Sequence, residues 1–189
     1  MKARLIALLL VFGAMATMSS TASAAEYKID PVHSSVVFRI RHMSAAPVFG
    51  RFNTKSGTIN FDKQNPGNSS IEITVDPASV DTGNTKRDEH VSSPDFLSVK
   101  EFPSMSFKST SVSMESNNLW KVEGNLTVKG VTKPITLDVK YSQGEGAEGV
   151  VIHGFYTEFT IRRRDFNITS FDDKALGNEV TLYIGIEAK

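Results

Sequence analysis

The stretch that decides the fold is SVVFRIRHM, residues 35–43, in which two rows of side chains alternate. One row is apolar until its last position: Val36, Phe38, Ile40 and His42. The other row is largely charged: Val37, Arg39 and Arg41. Because successive side chains of a β-strand point to opposite faces, the pattern predicts a strand with one inward, apolar face. We therefore expect His42 to lie beside an enclosed apolar space.

The same alternation recurs along the rest of the chain. It is cleanest in residues 120–130, where Trp120, Val122, Leu126 and Val128 share one face. Further rows follow in residues 48–62, 71–75, 105–107, 135–141, 151–161 and 180–186. Short turns separate most of these rows, so the chain predicts about eight strands and little helix.

One segment, residues 78–103, interrupts the strands. Residues 85–93 are polar, Asn84 or Thr85 can cap a helix there, and Pro94 should end it. The adjacent Arg87 and Asp88 predict an ion pair that holds this segment in place, in preference to a catalytic couple. We expect a packed helical excursion over one end of the sheet.

Two architectures bury strands that are apolar on one face. A two-sheet sandwich interdigitates those faces, whereas a closed antiparallel barrel can leave a lumen. The long strands, together with His42, His153 and Thr157 on otherwise apolar rows, favour a barrel with a cavity. The pattern alone leaves both architectures open.

The first 24 residues have the pattern of a secretory signal peptide. Lys2 and Arg4 precede an apolar run over residues 5–18, and small residues occupy positions 22–24. Removing residues 1–24 leaves residues 25–189, enough for one domain with a substantial core. No second apolar run approaches the length of a membrane span, so we expect no stable membrane insertion.

Charge and cysteine content exclude several classes of function. The chain has 21 basic and 21 acidic residues, and loss of Lys2 and Arg4 leaves a balance of −2. That balance does not indicate a nucleic-acid partner. The chain has no cysteine, which excludes thiol chemistry and cysteine-based metal sites. His33 and His42 are separated by an odd number of positions and would face opposite ways, so we predict neither a metal nor a cofactor.

Several motifs, taken in order, resemble one known family. They are DPVHS at 30–34, FRIRH at 38–42, GRF at 50–52, DT at 81–82, RDEH at 87–90, DF at 95–96, FPSMSF at 102–107, GNLTVKGVT at 124–132 and RDF at 164–166. As a set they resemble the YceI-like family of exported lipocalin-like proteins. Asn167 departs from the family pattern, which more often has Gly there.

The resemblance implies an all-β fold, an extended eight-stranded antiparallel lipocalin-like β-barrel with a short helical excursion. It also implies a periplasmic or secreted carrier whose interior holds a long-chain isoprenoid or another fatty amphiphile. The expected cavity lining is Val36, Phe38, Ile40, His42, Phe102, Met105, Phe107, Trp120, Val122, Leu126, His153, Phe155, Phe159, Ile161, Leu182 and Ile184. Each methylene moved out of water would contribute about 0.8 kcal/mol to binding such a chain.

Each candidate residue also has a plainer interpretation. The apolar rows would pack as a solid core, and His42 and His153 would be hydrogen-bonded core histidines. Arg163 and Arg164 are candidates for a phosphate head group, because guanidinium groups suit phosphate oxygens, or else they form a solvated strand end.

A second function remains open, a hydrolytic or isomerising enzyme acting on a lipid-like substrate at the cavity mouth. The sequence contains no nucleophile elbow and no phosphate-binding glycine loop after a strand. A scattered His–Asp pair would leave no such local motif. Dimerisation is likewise left open by the sequence.

Overall fold

The computed structural model describes residues 24–189. Within them the chain forms one α-helix and eleven strands, all in a single antiparallel sheet. The elements are β1 Ala25–Lys28, β2 Ser35–His42, β3 Ala46–Phe52, β4 Lys55–Phe61, β5 Ser70–Val75, β6 Val80–Asp81, α1 Thr85–Ser92, β7 Met105–Ser116, β8 Leu119–Val128, β9 Val131–Glu145, β10 Val151–Arg162 and β11 Leu176–Ala188. No helix in this part of the chain has the length and apolar character to cross a membrane. The signal peptide predicted for residues 1–24 lies outside the described residues except for Ala24.

The sheet curls so that β1, at one edge, meets the end of β11. The strand order is β1-β4-β5-β7-β8-β9-β10-β11-β2-β3-β6. Beyond its pairing with β4, β1 continues into a bridge between Ile29 and Ala188. Lys28 and Lys189 also exchange two backbone hydrogen bonds, of 3.1 and 3.2 Å. The predicted all-β, antiparallel, lipocalin-like fold is confirmed.

The number of strands differs from the expected eight. Residues 48–62, predicted as one strand, form β3 and β4 with a break at Asn53 and Thr54. The backbone N–H groups of both residues donate to Ser79, at 3.1 Å to its carbonyl and 2.9 Å to its hydroxyl. This turn moves the chain across the sheet, because β3 pairs with β2 and β6 while β4 pairs with β1 and β5. The short strands β1 and β6 account for the remaining difference.

The helical excursion forms where it was expected. The side chain of Asn84 accepts a hydrogen bond of 3.1 Å from the N–H of Arg87 and so caps α1. The predicted ion pair between Arg87 and Asp88 is wrong, because both side chains bind Thr82 instead. Arg87 Nε donates to the Thr82 hydroxyl at 2.8 Å, and that hydroxyl donates to Asp88 at 2.6 Å.

The interior is packed at its two ends. At one end the buried core includes Phe61, Trp120 and Tyr141. At the other end Leu97, from the segment after α1, packs with Phe166 and neighbouring strands. The excursion therefore covers one end of the curled sheet, and a space between the two cores remains unfilled.

Gly124 allows the ring of Phe107 to lie close to the inner face of β8. A Cβ atom at this position would lie 2.5 Å from the ring of Phe107 and 2.6 Å from the backbone oxygen of Lys108. The backbone oxygen cannot move aside as a flexible side chain can. Position 124 therefore requires glycine for packing.

We expect Gly124→Ala to lower the free energy of unfolding by about 1–3 kcal/mol, because overpacking forces the strand and ring apart. Urea denaturation measures the change. Gly185→Ala is the matched control, since among the described residues no atom beyond its chain neighbours lies within 4 Å of a Cβ built on Gly185 of β11. Equal stability of the two variants would contradict the packing argument.

Candidate functional site

A cavity of about 460 Å³ lies between the two packed ends of the sheet. Its volume falls in the range of about 300–1,000 Å³ that is usual for small-molecule sites. The wall is formed by the inner faces of strands and by the excursion, and it is almost entirely apolar. Among the described residues, no Asp, Glu or Lys side chain lies on it.

The inner row of β2 forms one side of this wall. Phe38 lies opposite Leu182 of β11 on one side and Gly50 of β3 on the other. A Cβ on Gly50 would collide with the Phe38 ring, so glycine makes room for it. Phe38 and Ile40 are half-buried although they point inward, because part of their surface faces the empty volume.

The structure brings most of the predicted lining residues together around this cavity. They are Val36, Phe38, Ile40, His42, Met105, Phe107, Val122, Leu126, Phe155, Phe159, Ile161, Leu182 and Ile184. Their contact with a ligand stays a prediction.

Phe102 and Trp120 were expected on the wall, but the structure places them elsewhere. Phe102 packs on Gly130 at the turn between β8 and β9, where its ring occupies the space of a side chain. Trp120 is 3% exposed, and its ring lies 4.7 Å from that of Phe61. Both side chains fill space outside the cavity.

His153 also lies outside the cavity, and the structure supports its interpretation as a hydrogen-bonded core histidine. Its Nδ1 lies 3.0 Å from the hydroxyl of Tyr141, and its ring centre lies 4.2 Å from that of Tyr27. Burial lowers the pKa of His153 below its usual value of 6.5. We call the group of Tyr27, Phe61, Trp120, Tyr141 and His153 the aromatic plug. It closes one end of the cavity.

The other end is open to solvent at a rim of exposed lining residues, which we call the mouth: His42, Met43, Arg87, His90 and Phe171. Met43 is 62% exposed and Phe171 is 50% exposed. His42, at the end of the inward row of β2, therefore lies at the mouth and not deep inside.

Arg163 does not have the role proposed for it as a head-group ligand. The residue is 2% exposed, and its guanidinium donates to five backbone carbonyl oxygens, those of Ile168, Ser170, Phe171, Leu176 and Gly177, at 2.7–3.0 Å. Burial is the main reason that the pKa of Arg163 lies below its ordinary value. With every N–H used, Arg163 can bind no phosphate, and it serves to pin the loop between β10 and β11.

Arg164 lies outside the cavity wall. Its Nε donates to Asp173 at 3.0 Å, and its Nη2 donates to the carbonyl of Phe171 at 2.9 Å. The head-group prediction therefore has no support at either arginine. The sequence showed three adjacent arginines but could not show that a later loop wraps around one of them.

Sequence reasoning missed the lining residues that come from loops and from the excursion. Phe96 and Leu97 border the cavity but lie in no strand, so alternation does not reveal them. Phe171 comes from the loop pinned by Arg163, and Leu176 is the first residue of β11. No periodic signal marks such positions, because their placement depends on tertiary hydrogen bonds.

Thr157 is the buried polar residue of the wall that has no partner. It is 7% exposed, and its hydroxyl forms no hydrogen bond within residues 24–189. In the same range, no three His, Asp or Glu side chains are grouped so that they could hold a metal ion.

Comparisons with known proteins agree with this geometry. The model of the YceI-like domain matches residues 27–188. Protein YceI of Salmonella newport (strain SL254) is 43% identical over 172 residues, which cover 89% of each chain. The crystal structure of Burkholderia cenocepacia BcnA is similar with a TM-score of 0.79 and 26% identity, covering 85% of this chain and 99% of that one. A polyisoprenoid binding domain from Saccharophagus degradans shares the fold, with a TM-score of 0.65, 15% identity and coverage of 86% and 97%.

We expect Arg163→Met to lower the free energy of unfolding by about 3–5 kcal/mol, because it removes a fully bonded buried charge and strands several carbonyls. Arg164→Met, at the half-exposed neighbour, should cost less than about 1 kcal/mol. Thermal and urea denaturation of both variants measure the difference. Similar losses at the two positions would contradict the structural role of Arg163.

Proposed function

The chain belongs to the YceI-like family, and on that basis we propose that it is a carrier that holds a long amphiphilic lipid in its cavity. The observation that supports this most directly is the cavity itself, which is almost entirely apolar and has exposed wall residues at its mouth. A lipid tail in it would leave water at a gain of about 0.8 kcal/mol per methylene. The binding needs no specific chemistry along the tail.

We propose a long-chain isoprenoid, or a fatty chain of similar shape, as the ligand. The Saccharophagus domain of the same fold is a polyisoprenoid binding domain, which favours binding over the hydrolytic or isomerising alternative. Rings such as Phe38 and Phe159, together with Met105, line the wall. Methionine side chains adapt to irregular shapes, so the wall suits a branched and kinked chain.

The proposed setting is outside the cytoplasm. The pattern of residues 1–24 supports export through a cleaved signal peptide, and the domain of residues 25–189 would then act in the periplasm or beyond the cell. There a soluble shell around the tail would let a lipid cross water during storage or transfer.

Native mass spectrometry of the purified protein tests the proposal. We expect an adduct with the mass of a lipid, which organic extraction releases for identification. A bare protein mass under mild conditions, together with no uptake of added geranylgeraniol, would overturn the carrier function.

We expect Phe38→Asp to weaken binding of a fluorescent fatty probe more than tenfold, because an unpaired carboxylate in a dry cavity is costly. The matched control is Val37→Asp, because Val37 directly precedes Phe38 in β2 and its side chain points to the outer face. Probe titration and circular dichroism of both variants measure binding and folding. If a folded Phe38→Asp variant binds the probe as the wild type does, the cavity is not the lipid site.

A further inference from the structure

Two arginines and two histidines supply the charged or titratable nitrogen groups of the cavity wall. Within residues 24–189 these are Arg87, Arg163, His42 and His90, and no acidic side chain lines the cavity. Arg163 is fully occupied by backbone carbonyls. Arg87 is therefore the arginine of the wall that keeps donors free.

Thr82 holds the Arg87 side chain in a fixed orientation. Nε of Arg87 donates to the Thr82 hydroxyl at 2.8 Å, and Nη2 donates to the Thr82 carbonyl at 2.7 Å. Thr82 is fixed in turn by Asp88, which accepts from the N–H of Thr82 at 2.8 Å and from its hydroxyl at 2.6 Å. Both anchors use one edge of the guanidinium, so Nη1 and the second N–H of Nη2 point away from Thr82.

No carboxylate neutralises this guanidinium directly. Arg87 takes part in no ion pair within the described residues, and its Nη1 donates to no group there. Among the described residues, the exposed Arg51 and Arg164 are paired with carboxylates at 3.1 and 3.0 Å. Arg39, Arg41 and Arg162 are exposed without an ion pair, but unlike Arg87 they do not line the cavity. An exposed, oriented and unpaired guanidinium at the rim of an apolar cavity is an arrangement suited to an external anion.

His90 lies one turn after Arg87 on the same face of α1, since residues three apart on a helix are neighbours. Its ring contacts those of Phe96 and Phe171, with centres 4.9 and 5.9 Å away. Nε2 of His90 lies 3.1 Å from Asp95, while Nδ1 has no partner within residues 24–189. The mouth thus places polar N–H groups next to aromatic rings, as an amphiphile's junction of head and tail requires.

We propose that Arg87 is the recognition residue of an oxyanion subsite at the mouth, which binds the carboxylate or phosphate head group of the lipid whose tail occupies the cavity. This proposal rests on the proposed carrier function. It adds that the ligand is an anionic amphiphile, bound with its head at α1 and its tail toward the aromatic plug.

Binding of two matched pairs of probes tests the subsite: palmitate against hexadecanol, and geranylgeranyl phosphate against geranylgeraniol. We expect the wild type to bind the anion of each pair about tenfold more tightly than the alcohol, as one charge-assisted contact allows. Arg87→Gln should remove this preference, because the anions lose their charge-assisted contact while the alcohols lose at most a neutral one. A preference confined to one pair identifies the carboxylate or the phosphate as the head group.

Two further variants separate recognition from folding and from net charge. Arg39→Gln removes an exposed arginine that donates to Thr181 on the outer face, and it should keep the full preference for the anion. Arg87→Lys keeps the charge but loses the planar fork, and it should show a preference between those of the wild type and Arg87→Gln.

The outcomes distinguish the two proposals. Equal affinity of the wild type for anion and alcohol, or an undiminished preference in Arg87→Gln, overturns the subsite while the carrier function stands. Failure of all four probes to bind the wild type overturns the carrier function itself.

Discussion

The architecture depends on an interior that is densely packed in two clusters and unfilled between them. Protein interiors normally pack as tightly as organic crystals, and an unfilled volume forfeits contacts that would stabilise the fold. The aromatic plug and the core beneath the excursion restore such contacts on either side. Half-buried side chains such as Phe38 and Ile184 can then face an empty volume without loss of the strand order.

The mouth is held by hydrogen bonds more than by apolar contact. Arg163 orders the loop before β11, because each of its N–H groups donates to a backbone carbonyl. The same hydrogen bonds make its buried charge tolerable. That loop places Phe171 next to His90 of the excursion, so two segments far apart in sequence share one rim. Thr82 orients the side chain of Arg87 at the same rim through two hydrogen bonds. The hydrogen-bonded rim and the apolar interior are two parts of one site.

Alternation in the sequence predicted which face of each strand turns inward, but not the depth at which each residue lies. Trp120 and Val122 occupy the same row of β8, yet Trp120 belongs to the plug and Val122 borders the cavity. Period-two patterning carries no information about distance along a curled sheet, and so it could not separate filling residues from lining ones. The break at Asn53 was hidden for a related reason, because its hydrogen-bond partner, Ser79, lies in a distant segment.

The barrel itself rested on the resemblance to a family, since the residues alone allowed a sandwich. Helix α1 was predictable from its capping residue and its terminating proline, which are local signals. The environments of Arg163 and Arg164 were not predictable, because identical neighbours in sequence differ only through the loop that surrounds one of them. Helix ends can thus be predicted from local sequence signals, whereas the environment of a charged side chain depends on the folded structure.

A cavity closed at one end by the aromatic plug is a cul-de-sac, so under the proposed carrier function a lipid would load and leave through one opening. The far tip of its hydrocarbon would enter first and depart last. An acceptor would therefore meet the polar terminus first, whereas a donor would release that terminus last. A chain exceeding the available depth would leave its surplus beside Met43 and Phe171, within reach of whatever surface receives it.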